Sequence, residues 1–336
     1  MLSPIAWRTP PRHYGPWELF ASLLTEGLLG RGHDVTLFAT GDSATSGRLI
    51  ATSPSGWSED PDVEPKVAEC VHIASVFERA ADFDVIHNSF DFLPLTYSRL
   101  VTTPVVTTIH GFSSPRILPV YERYNDAGTY VAISESDRHP RLRYGATIHH
   151  GIDTATFAVA ADPGDDLLFF GRIHPDKGTA RAIEVARLAQ RRLVIAGIVQ
   201  DEAYFRDEVA PHIDGDRVVY VGPVGGERRL ELLAGAAALL HLVEFDEPFG
   251  FSVVEALASG TPVIAHRRGS MPEIIEDGST GFLVGTVQEA LAAVERVGLL
   301  DRAAIRAAAV ARFDASVMVD RYEALYRSVL GTEGRR

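Results

Sequence analysis

The stretch Glu247-Pro-Phe-Gly-Phe-Ser-Val-Val-Glu255, continued by Ala-Leu-Ala-Ser-Gly-Thr-Pro-Val-Ile264, predicts a loop, a helix, a turn and a buried strand in direct succession. Its apolar residues recur at helical spacing after Ser252, so we expect a helix to begin near that residue. Glu247 then lies in the loop before the helix, and Glu255 lies in its first turn. A helix followed at once by a buried strand is typical of an α/β sheet.

Two interpretations of this segment stand side by side. The backbone N–H groups of Gly250, Phe251 and Ser252 at the helix N-terminus suit a phosphate or a sugar hydroxyl. With Glu247 and Glu255 as fixed carboxylates, the segment offers what a sugar nucleotide needs. Ser252-x-x-Glu255 is also the pattern of a capping box, in which both residues serve the helix alone, and Glu247 could be one more solvated acid.

Composition bounds the class of protein. A chain of 336 residues is long for one core and sufficient for two domains of about 150 residues each. With 46% hydrophobic and 23% charged residues, it has the composition of a globular protein. The net charge of −13 argues against nucleic acid or an anionic membrane surface as the main partner.

The sequence also predicts a compartment. Cys70 is the single cysteine, which excludes an internal disulfide and favours a reducing environment. The first residues show no signal peptide, and the longest apolar stretch, residues 232–243, is too short to span a bilayer. We therefore expect a cytoplasmic protein without stable membrane association.

Short apolar runs alternate with helical patterns along both halves of the chain. In the first half a helix opens at Gly15-Pro16, residues 43–66 are predicted as loop, and strands are predicted at 35–39, 85–87, 105–109 and 130–133. In the second half the predicted strands are 167–170, 193–196, 218–221, 238–242 and 263–265. Strands that are apolar on both faces predict parallel sheets covered on both sides.

This alternation predicts two doubly wound, Rossmann-like α/β domains that face each other across a cleft. The pattern breaks near residues 154–166, and a helix at the C-terminus is expected to return to the first domain. The predicted boundaries are 1–152, 153–315 and 316–336. Ligands of such sheets bind beyond the carboxyl ends of the strands, so functional residues are expected there.

Two cations follow the predicted strand 167–170, in Gly171-Arg172-Ile-His-Pro-Asp-Lys177-Gly178. Lysine occurs only at Lys66 and Lys177, so 30 of the 32 basic residues are arginine. Arg172 and Lys177 could neutralise a diphosphate leaving group without a metal ion. The alternative is an ordinary pair of loop cations on an acidic surface.

Polar residues also follow the strands of the first half. His110 and the pair His87-Asn88 each end a strand and are placed to meet a ligand, although a single histidine is more often structural. Gly15 could admit a phosphate or an acceptor close to the backbone, or simply start a helix. Residues 149–151 are interpreted as a hinge between the domains.

Several short motifs recur in a fixed order along the chain. They are Arg31-Gly-His-Asp-Val35, Phe83-Asp-Val-Ile-His87, Thr107-Thr-Ile-His-Gly111, His150-Gly-Ile-Asp153, Gly171-Arg172 with Lys177-Gly178, Glu247-x7-Glu255, Gly260-Thr-Pro-Val263, Pro272-Glu-Ile-Ile275 and Gly278-x-x-Gly281. By their order and spacing, the chain resembles the retaining family 4 glycosyltransferases of GT-B fold over nearly all of its length. The chain is short for this family, and in that respect it resembles the branch that includes an avilamycin-pathway enzyme.

The resemblance implies a nucleoside diphosphate sugar as donor, with uridine favoured, and retention at the anomeric carbon without a metal ion or cofactor. It implies that Arg172 and Lys177 hold the diphosphate, Glu255 the ribose and Glu247 the transferred hexose or pentose, while His110 touches the donor sugar. The remaining donor contacts are expected from the backbone of Phe249, Gly250, Phe251, Ser252, Gly15, Gly197, Val221 and Gly222. The first domain is then the acceptor-binding domain and the second the nucleotide-sugar-binding domain.

The acceptor is expected to be a small soluble molecule or an oligosaccharide, such as a saccharide natural product of an antibiotic pathway. The residues expected to contact it are Tyr14, Trp17, Glu18, His87, Asn88 and Asp91, with residues 113–116 nearby. The chain departs from the family in this region. Its first loop reads Gly15-Pro16-Trp17-Glu18, where the family usually has two glycines before the acid, and only residues 2–6 remain for the first strand.

Other classes of protein fit less well. A metal-dependent transferase of the other common fold needs Asp-x-Asp at the end of an apolar strand, and a nicotinamide dehydrogenase needs Gly-x-Gly-x-x-Gly in the first turn. The sequence shows neither pattern at those places. A sugar-nucleotide epimerase of the same fold and a non-catalytic nucleotide-sugar-binding protein stay open as alternatives.

Overall fold

The computed structural model of the chain describes residues 1–112 and 114–331. They divide into two compact units, unit 1 with Met1–Gly151 and Ala315–Arg336, and unit 2 with Ile152–Asp314. Each boundary lies one residue before the predicted one. Ser113, predicted near the acceptor, and residues 332–336 of the predicted tail lie outside the described residues.

Helices and strands alternate along most of the chain. The helices are α1 (Pro16–Leu29), α2 (Pro65–Phe77), α3 (Leu118–Arg123), α4 (Thr179–Leu188), α5 (Glu202–Tyr204), α6 (Gly226–Gly235), α7 (Phe251–Ala258), α8 (Met271–Ile274), α9 (Val287–Arg296), α10 (Arg302–Phe313) and α11 (Ala315–Val329). The strands are β1 (Thr36–Ala39), β2 (Arg48–Ala51), β3 (Ile86–Asn88), β4 (Val105–Ile109), β5 (Thr129–Ala132), β6 (Tyr144–Thr147), β7 (Leu167–Phe170), β8 (Leu193–Ala196), β9 (Val218–Tyr220), β10 (Ala238–His241), β11 (Val263–His266) and β12 (Gly281–Val284). Among the described residues, none of these helices has both the length and the apolar character that crossing a bilayer requires.

A single residue of the N-terminal segment joins the strands of unit 1. Strands β3 to β6 form a parallel sheet in chain order, and β1 pairs in parallel with β2. Leu2 bridges Phe38 of β1 on one side and Asn88 of β3 on the other. The short first strand expected from the sequence is therefore reduced to a bridge, in which Leu2 has 0% of its surface exposed.

The prediction that residues 43–66 are loop is wrong in part. Arg48–Ala51 forms β2, and α2 already begins at Pro65. Strand β2 lies at the edge of the sheet, its residues are exposed or half-buried, and its apolar run Leu49-Ile50-Ala51 has only three residues, which is too short to predict a strand. Strands β6 and β12 were not predicted for a similar reason, because each has four residues and contains a glycine.

The last helix completes the core of unit 1. Met318, Val319 and Tyr322 of α11 are buried against Phe20 and Leu24 of α1. The close approach depends on Gly27, because a Cβ there would overlap the side chain of Val319. The C-terminal helix, as expected from its apolar spacing, thus belongs to the same unit as the N-terminal half.

Unit 2 is a doubly wound sheet with strand order β12-β11-β10-β7-β8-β9, and all of its strands are parallel. From β7 the chain adds β8 and β9 on one side, then crosses to add β10, β11 and β12 on the other. The topological switch point therefore lies between β7 and β10, and the loops that follow these strands diverge from it. Sheets of this kind bind ligands in that crevice.

Replacing Leu2 by alanine tests the bridge. The change removes a fully buried side chain from between β1 and β3, so the free energy of unfolding of unit 1 should fall by about 2–5 kcal/mol. Denaturant unfolding of the two proteins measures the difference. Leu100→Ala is the control, since Leu100 is 77% exposed and its loss should change stability by less than about 0.5 kcal/mol; equal effects of the two variants would contradict the bridge.

Candidate functional site

The loop after β7 brings one of the predicted cations to the switch point of unit 2. A short turn, Pro175–Lys177, follows the strand, and Gly178 is the N-cap of α4. The loop is tied to the segment after β10, because the Glu244 N–H donates to the Asp176 carbonyl over 2.7 Å. Lys177 is thereby placed beside the segment that carries Glu247.

Lys177 and Glu247 form an ion pair. The Lys177 Nζ lies 2.6 Å from Glu247 Oε2, and each side chain is 14% exposed. The same ammonium lies 4.5 Å from the centre of the Phe245 ring, within the range of a cation–π contact. The residues predicted to hold the diphosphate and the sugar are thus in direct contact, although 70 positions separate them in the sequence.

The turn after β11 fixes the backbone of Glu247. Gly269 adopts φ 53°, and a Cβ at this position would overlap the backbone of Glu247, so only glycine fits. The Ser270 N–H donates to the Glu247 carbonyl over 2.9 Å, and the Ser270 hydroxyl donates to the Phe249 carbonyl over 2.8 Å. Three loops at the sheet edge, after β7, β10 and β11, therefore determine where the Glu247 carboxylate lies.

Helix α7 begins at Phe251, one residue before the predicted start, and Gly250 is its N-cap. The capping-box interpretation is wrong, because Ser252 lies inside the first turn and Glu255 forms an ion pair with Arg229 instead. Phe249 is 3% exposed, so its ring belongs to the core and only its backbone could meet a ligand. The Val253 and Val254 N–H groups donate to the Gly250 carbonyl, and the positive end of the helix dipole at this N-terminus favours anions.

Glu255 is 6% exposed, and Arg229 Nη1 lies 3.0 Å from its Oε1. Burial raises the pKa of Glu255 from 4.5 to about 7, and the charge of Arg229 opposes that rise. Arg229 lies in α6 and over the ring of Phe157, at 5.6 Å. Sequence reasoning missed Arg229, because Arg228-Arg229 in a charged helix resembles a solvated surface.

The ends of β7, β8 and β9 meet where the nucleotide base is predicted. Gly197 adopts φ 155°, and a Cβ there would overlap the Gly171 carbonyl oxygen. The Gly197 N–H donates to the Gly222 carbonyl over 2.9 Å, and the Tyr220 hydroxyl donates to the Gly197 carbonyl over 3.0 Å. Val221 and Gly222 therefore lie beside Gly197, which in turn contacts Gly171. Three backbone segments meet in this way at one edge of the sheet.

Arg172 lies in the loop that contains Gly171, and its guanidinium donates to the side-chain oxygen of Gln200. The strand ends of unit 2 thus carry the cations Arg172, Lys177 and Arg229 with the acids Glu247 and Glu255. Within residues 1–112 and 114–331, no group of three or more His, Cys, Asp and Glu side chains has the geometry of a metal site. The arrangement can hold an anion against its cations and accept hydroxyl hydrogen bonds at its acids.

His241, at the end of β10, is a polar residue of this site that sequence reasoning missed. It is 7% exposed, and its Nε2 makes no hydrogen bond. That nitrogen lies 3.7 Å from Glu247 Oε2, and burial lowers the pKa of His241 from 6.5 to about 4. The available signal was a histidine inside the apolar run Ala-Leu-Leu-His-Leu, residues 238–242.

Unit 1 has a cluster of two histidines at the ends of its strands, of which His150 is buried and His110 is half-buried. His110 Nε2 lies 2.8 Å from the Ser89 hydroxyl, and His110 Nδ1 lies 3.2 Å from His150 Nε2. The His110 ring also stacks on Trp17, with centroids 5.2 Å apart. Burial lowers the pKa of His150 to about 3 and that of His110 well below 6.5, so the cluster is neutral near pH 7.

His87 and Asn88 support the site of unit 1 and do not line it. His87 is 3% exposed and Asn88 is 0% exposed. The His87 nitrogens contact the hydroxyls of Tyr326, at 2.7 Å, and Thr108, at 3.0 Å. The Asn88 amide donates to the Asp91 carbonyl over 3.0 Å. The expectation that either side chain contacts an acceptor is therefore wrong, because both are saturated by internal contacts.

The other acceptor residues differ in exposure. Tyr14 is 47% exposed, whereas Glu18 is 3% exposed and accepts the Trp7 N–H over 3.3 Å. Burial raises the pKa of Glu18 from 4.5 to about 7. The half-buried Asp91 accepts the Tyr121 hydroxyl over 2.7 Å. Tyr14 is therefore the most accessible of the residues predicted to contact the acceptor. The predicted role of His110 at the donor sugar stays a prediction.

Replacing Glu255 by glutamine tests its buried state. Because the folded pKa of about 7 exceeds the ordinary 4.5, Glu255 lowers the free energy of unfolding as pH rises from about 4.5 to about 7. The stability of Glu255→Gln relative to the natural chain should therefore increase over this range. Thermal unfolding at several pH values measures the difference, and Glu231→Gln, at an exposed residue paired with Arg228, should show no such trend.

Comparison with known proteins assigns the two halves of the chain to two domain families. Residues 18–156 match Glycosyltransferase Family 4, and residues 156–302 match Glycosyl transferases group 1. The D-inositol 3-phosphate glycosyltransferase of Pseudarthrobacter chlorophenolicus is 31% identical over 247 residues, 60% of this chain and 59% of that enzyme. The chain thus spans less than two thirds of the length of this relative.

Solved structures resemble the whole chain. AviGT4, a glycosyltransferase involved in avilamycin A biosynthesis, is 28% identical with a TM-score of 0.71, covering 96% of this chain and 93% of its own. The Anabaena protein Alr3699/HepE in complex with UDP-glucose is 20% identical with a TM-score of 0.68, covering 95% and 96%; this likeness concerns the fold. The two domain matches show that the chain carries glycosyltransferase domains of family 4 and group 1, and AviGT4 shares its GT-B fold.

Proposed function

We propose that the chain transfers a sugar from a nucleoside diphosphate sugar to a hydroxyl group of a small acceptor. The observation that carries this proposal is the Lys177–Glu247 pair at the switch point of unit 2, with Arg172 and the N-terminus of α7 beside it in the same set of strand-end loops. Cations and exposed amides suit a diphosphate, and carboxylates suit sugar hydroxyls. UDP is the proposed nucleotide, because HepE has been solved with UDP-glucose on the same fold.

Each residue of the unit 2 site receives a role in the proposal. Arg172, Lys177 and the amides of the first turn of α7 bind the diphosphate. Glu255 accepts the ribose hydroxyls, and Glu247 accepts hydroxyls of the transferred sugar. The backbone of Gly197, Val221 and Gly222 borders the base.

The proposed source of catalysis is electrostatic. As the bond between the sugar and the diphosphate breaks, negative charge grows on the departing phosphate. The guanidinium of Arg172 and the ammonium of Lys177 stabilise that charge more in the transition state than in the bound donor, which raises the rate. In this scheme the two cations do the work that a divalent metal ion does in other transferases.

We propose retention at the anomeric carbon, with the departing phosphate oxygen accepting the proton of the acceptor hydroxyl. In support, both acids of the site are in ion pairs, Glu247 with Lys177 and Glu255 with Arg229. A carboxylate held by a cation is a well-fixed hydrogen-bond acceptor. These pairs favour positioning roles for the two glutamates over proton abstraction.

The acceptor is proposed to bind unit 1 near Tyr14, Trp17 and Asp91, which are exposed or half-buried at the strand ends. An aromatic surface beside a carboxylate suits a saccharide, because sugar rings stack on aromatic rings while their hydroxyls donate to the acid. The role of AviGT4 in making an antibiotic supports a saccharide natural product as acceptor.

Replacing Arg172 by alanine should weaken nucleotide binding. Loss of hydrogen bonds to a charged group costs about 1.5–3 kcal/mol, so the Kd for UDP should rise about 10- to 150-fold. Calorimetry with UDP, GDP and ADP measures it, with and without a chelator, which should have no effect. Arg192→Ala is the matched control, since Arg192 precedes β8 at the opposite end of the sheet; a similar loss in both variants would remove Arg172 from the site.

Glu247→Gln should lower turnover far more than nucleotide binding. The amide keeps the shape of the side chain but loses the charge that holds sugar hydroxyls, whereas Arg172 still binds the diphosphate. Release of UDP from a panel of UDP-sugars and saccharide acceptors, together with the Kd for UDP, separates the two effects. Product NMR gives the anomeric configuration, and inversion would refute the mechanism. UDP release that never depends on an acceptor would refute the transferase assignment.

A further inference from the structure

Lys177 and Glu247 each have two roles that conflict. In the structure the ammonium and the carboxylate satisfy one another at 2.6 Å. On the proposed function, the diphosphate needs the ammonium of Lys177. When the donor arrives, the carboxylate of Glu247 therefore loses part of the charge that compensates its burial, and a buried carboxylate without a partner is costly.

A second partner is already beside Glu247. His241 Nε2 lies 3.7 Å from Glu247 Oε2, the same oxygen that Lys177 contacts. This nitrogen is buried and has no hydrogen-bond partner in the described residues. Leaving a buried nitrogen without a hydrogen-bond partner costs free energy. Its presence is explained if another state of the site uses that nitrogen. The geometry thus places an unused ring nitrogen within a short movement of the carboxylate.

We propose that His241 is a positioning residue that takes a proton and becomes the partner of Glu247 when the ammonium of Lys177 turns to the diphosphate. The proton comes from solvent, and no covalent bond changes. The imidazolium then holds the carboxylate where it can accept hydroxyls of the transferred sugar. This inference rests on the proposed function only for the event that withdraws Lys177.

The charges around His241 give the sign of the effect. Burial is the main cause that lowers the pKa of His241 to about 4; Glu247 raises it, and Lys177 and His266 lower it. Lys177 comes from the loop after β7, Glu247 from the loop after β10 and His266 from the end of β11. The His266 Nδ1 lies 2.9 Å from the Val243 carbonyl. Withdrawing Lys177 removes one of the causes that lower the pKa of His241, while Glu247 still raises it, so the pKa of His241 must rise.

The first test needs no nucleotide. NMR titration of the histidine Cε1 resonances between about pH 5 and pH 8 follows His241, which is assigned by its loss in His241→Gln. We expect no titration of His241 in the natural chain and clear titration in Lys177→Met, or in Lys177→Gln if the first variant does not fold. The double variant Lys177→Met with Glu247→Gln should return His241 to the neutral state.

Two results of that titration would overturn the inference. One is a His241 that stays neutral in both Lys177 variants. The other is a His241 that titrates equally in the double variant, because Glu247 would then not be its partner.

The second test uses donor binding. UDP-glucose, GDP-glucose and ADP-glucose are suitable probes, because the sugar blocks the terminal phosphate. In free UDP that phosphate itself titrates at about pH 6 and would add its own proton exchange. Binding heats in two buffers of different ionisation enthalpy give the number of protons taken up. We expect uptake that grows as pH falls in the natural chain, with affinity changing by up to about tenfold per pH unit for one proton.

His241→Gln separates the two proposals. Glutamine can still donate to Glu247 but cannot titrate, so this variant should bind the nucleotide sugar without proton uptake. A natural chain that binds without proton uptake contradicts the inference and leaves the transferase assignment intact. If none of the nucleotide sugars binds, the proposed function fails, and the NMR titration alone decides the role of His241.

Discussion

The ion pair between Lys177 and Glu247 joins the two central loops of unit 2. One partner follows β7 and the other follows β10, the two strands between which the chain changes direction in the sheet. The pair is half of a larger restraint, because Gly269 and Ser270 from the loop after β11 hold the Glu247 backbone. Since each charge is mostly buried, removing either partner leaves the other uncompensated.

Buried charges in this unit come in pairs, and both pairs contain an acid predicted to bind the donor. Glu247 has Lys177, and Glu255 has Arg229. The pairing keeps the acids in fixed positions before any ligand arrives, which is the preorganisation that electrostatic catalysis needs. It also means that a diphosphate competes with an internal partner for Lys177. On the proposed function, part of the binding free energy of the donor is used in that exchange, and His241 reduces its cost.

The strand ends of unit 1 differ from those of unit 2, because their histidines are neutral. His87 and His150 are buried and His110 is half-buried, and desolvation lowers the pKa values of all three. Their partners come from distant parts of the chain, as with Tyr326 of α11 on His87. Near pH 7 these histidines therefore carry no positive charge, in contrast with the cationic side chains in the loops of unit 2.

The sequence by itself determined the α/β class, most strands and the residues at the carboxyl ends, because apolar periodicity is a local property. Strands β4, β7 and β8 have the predicted bounds, and Lys177 and Glu247 lie in the loops after β7 and β10, at the predicted edge of the sheet. Strands β2, β6 and β12 were not predicted. Pairing with neighbouring strands stabilises them, and a local sequence pattern does not show that pairing. Only the tertiary structure decided that Glu255 pairs with Arg229, that Ser252 does not cap its helix, and that His241 lies beside Glu247. Such contacts depend on the order of strands in the sheet, which brings together residues far apart in the chain and which no local pattern encodes.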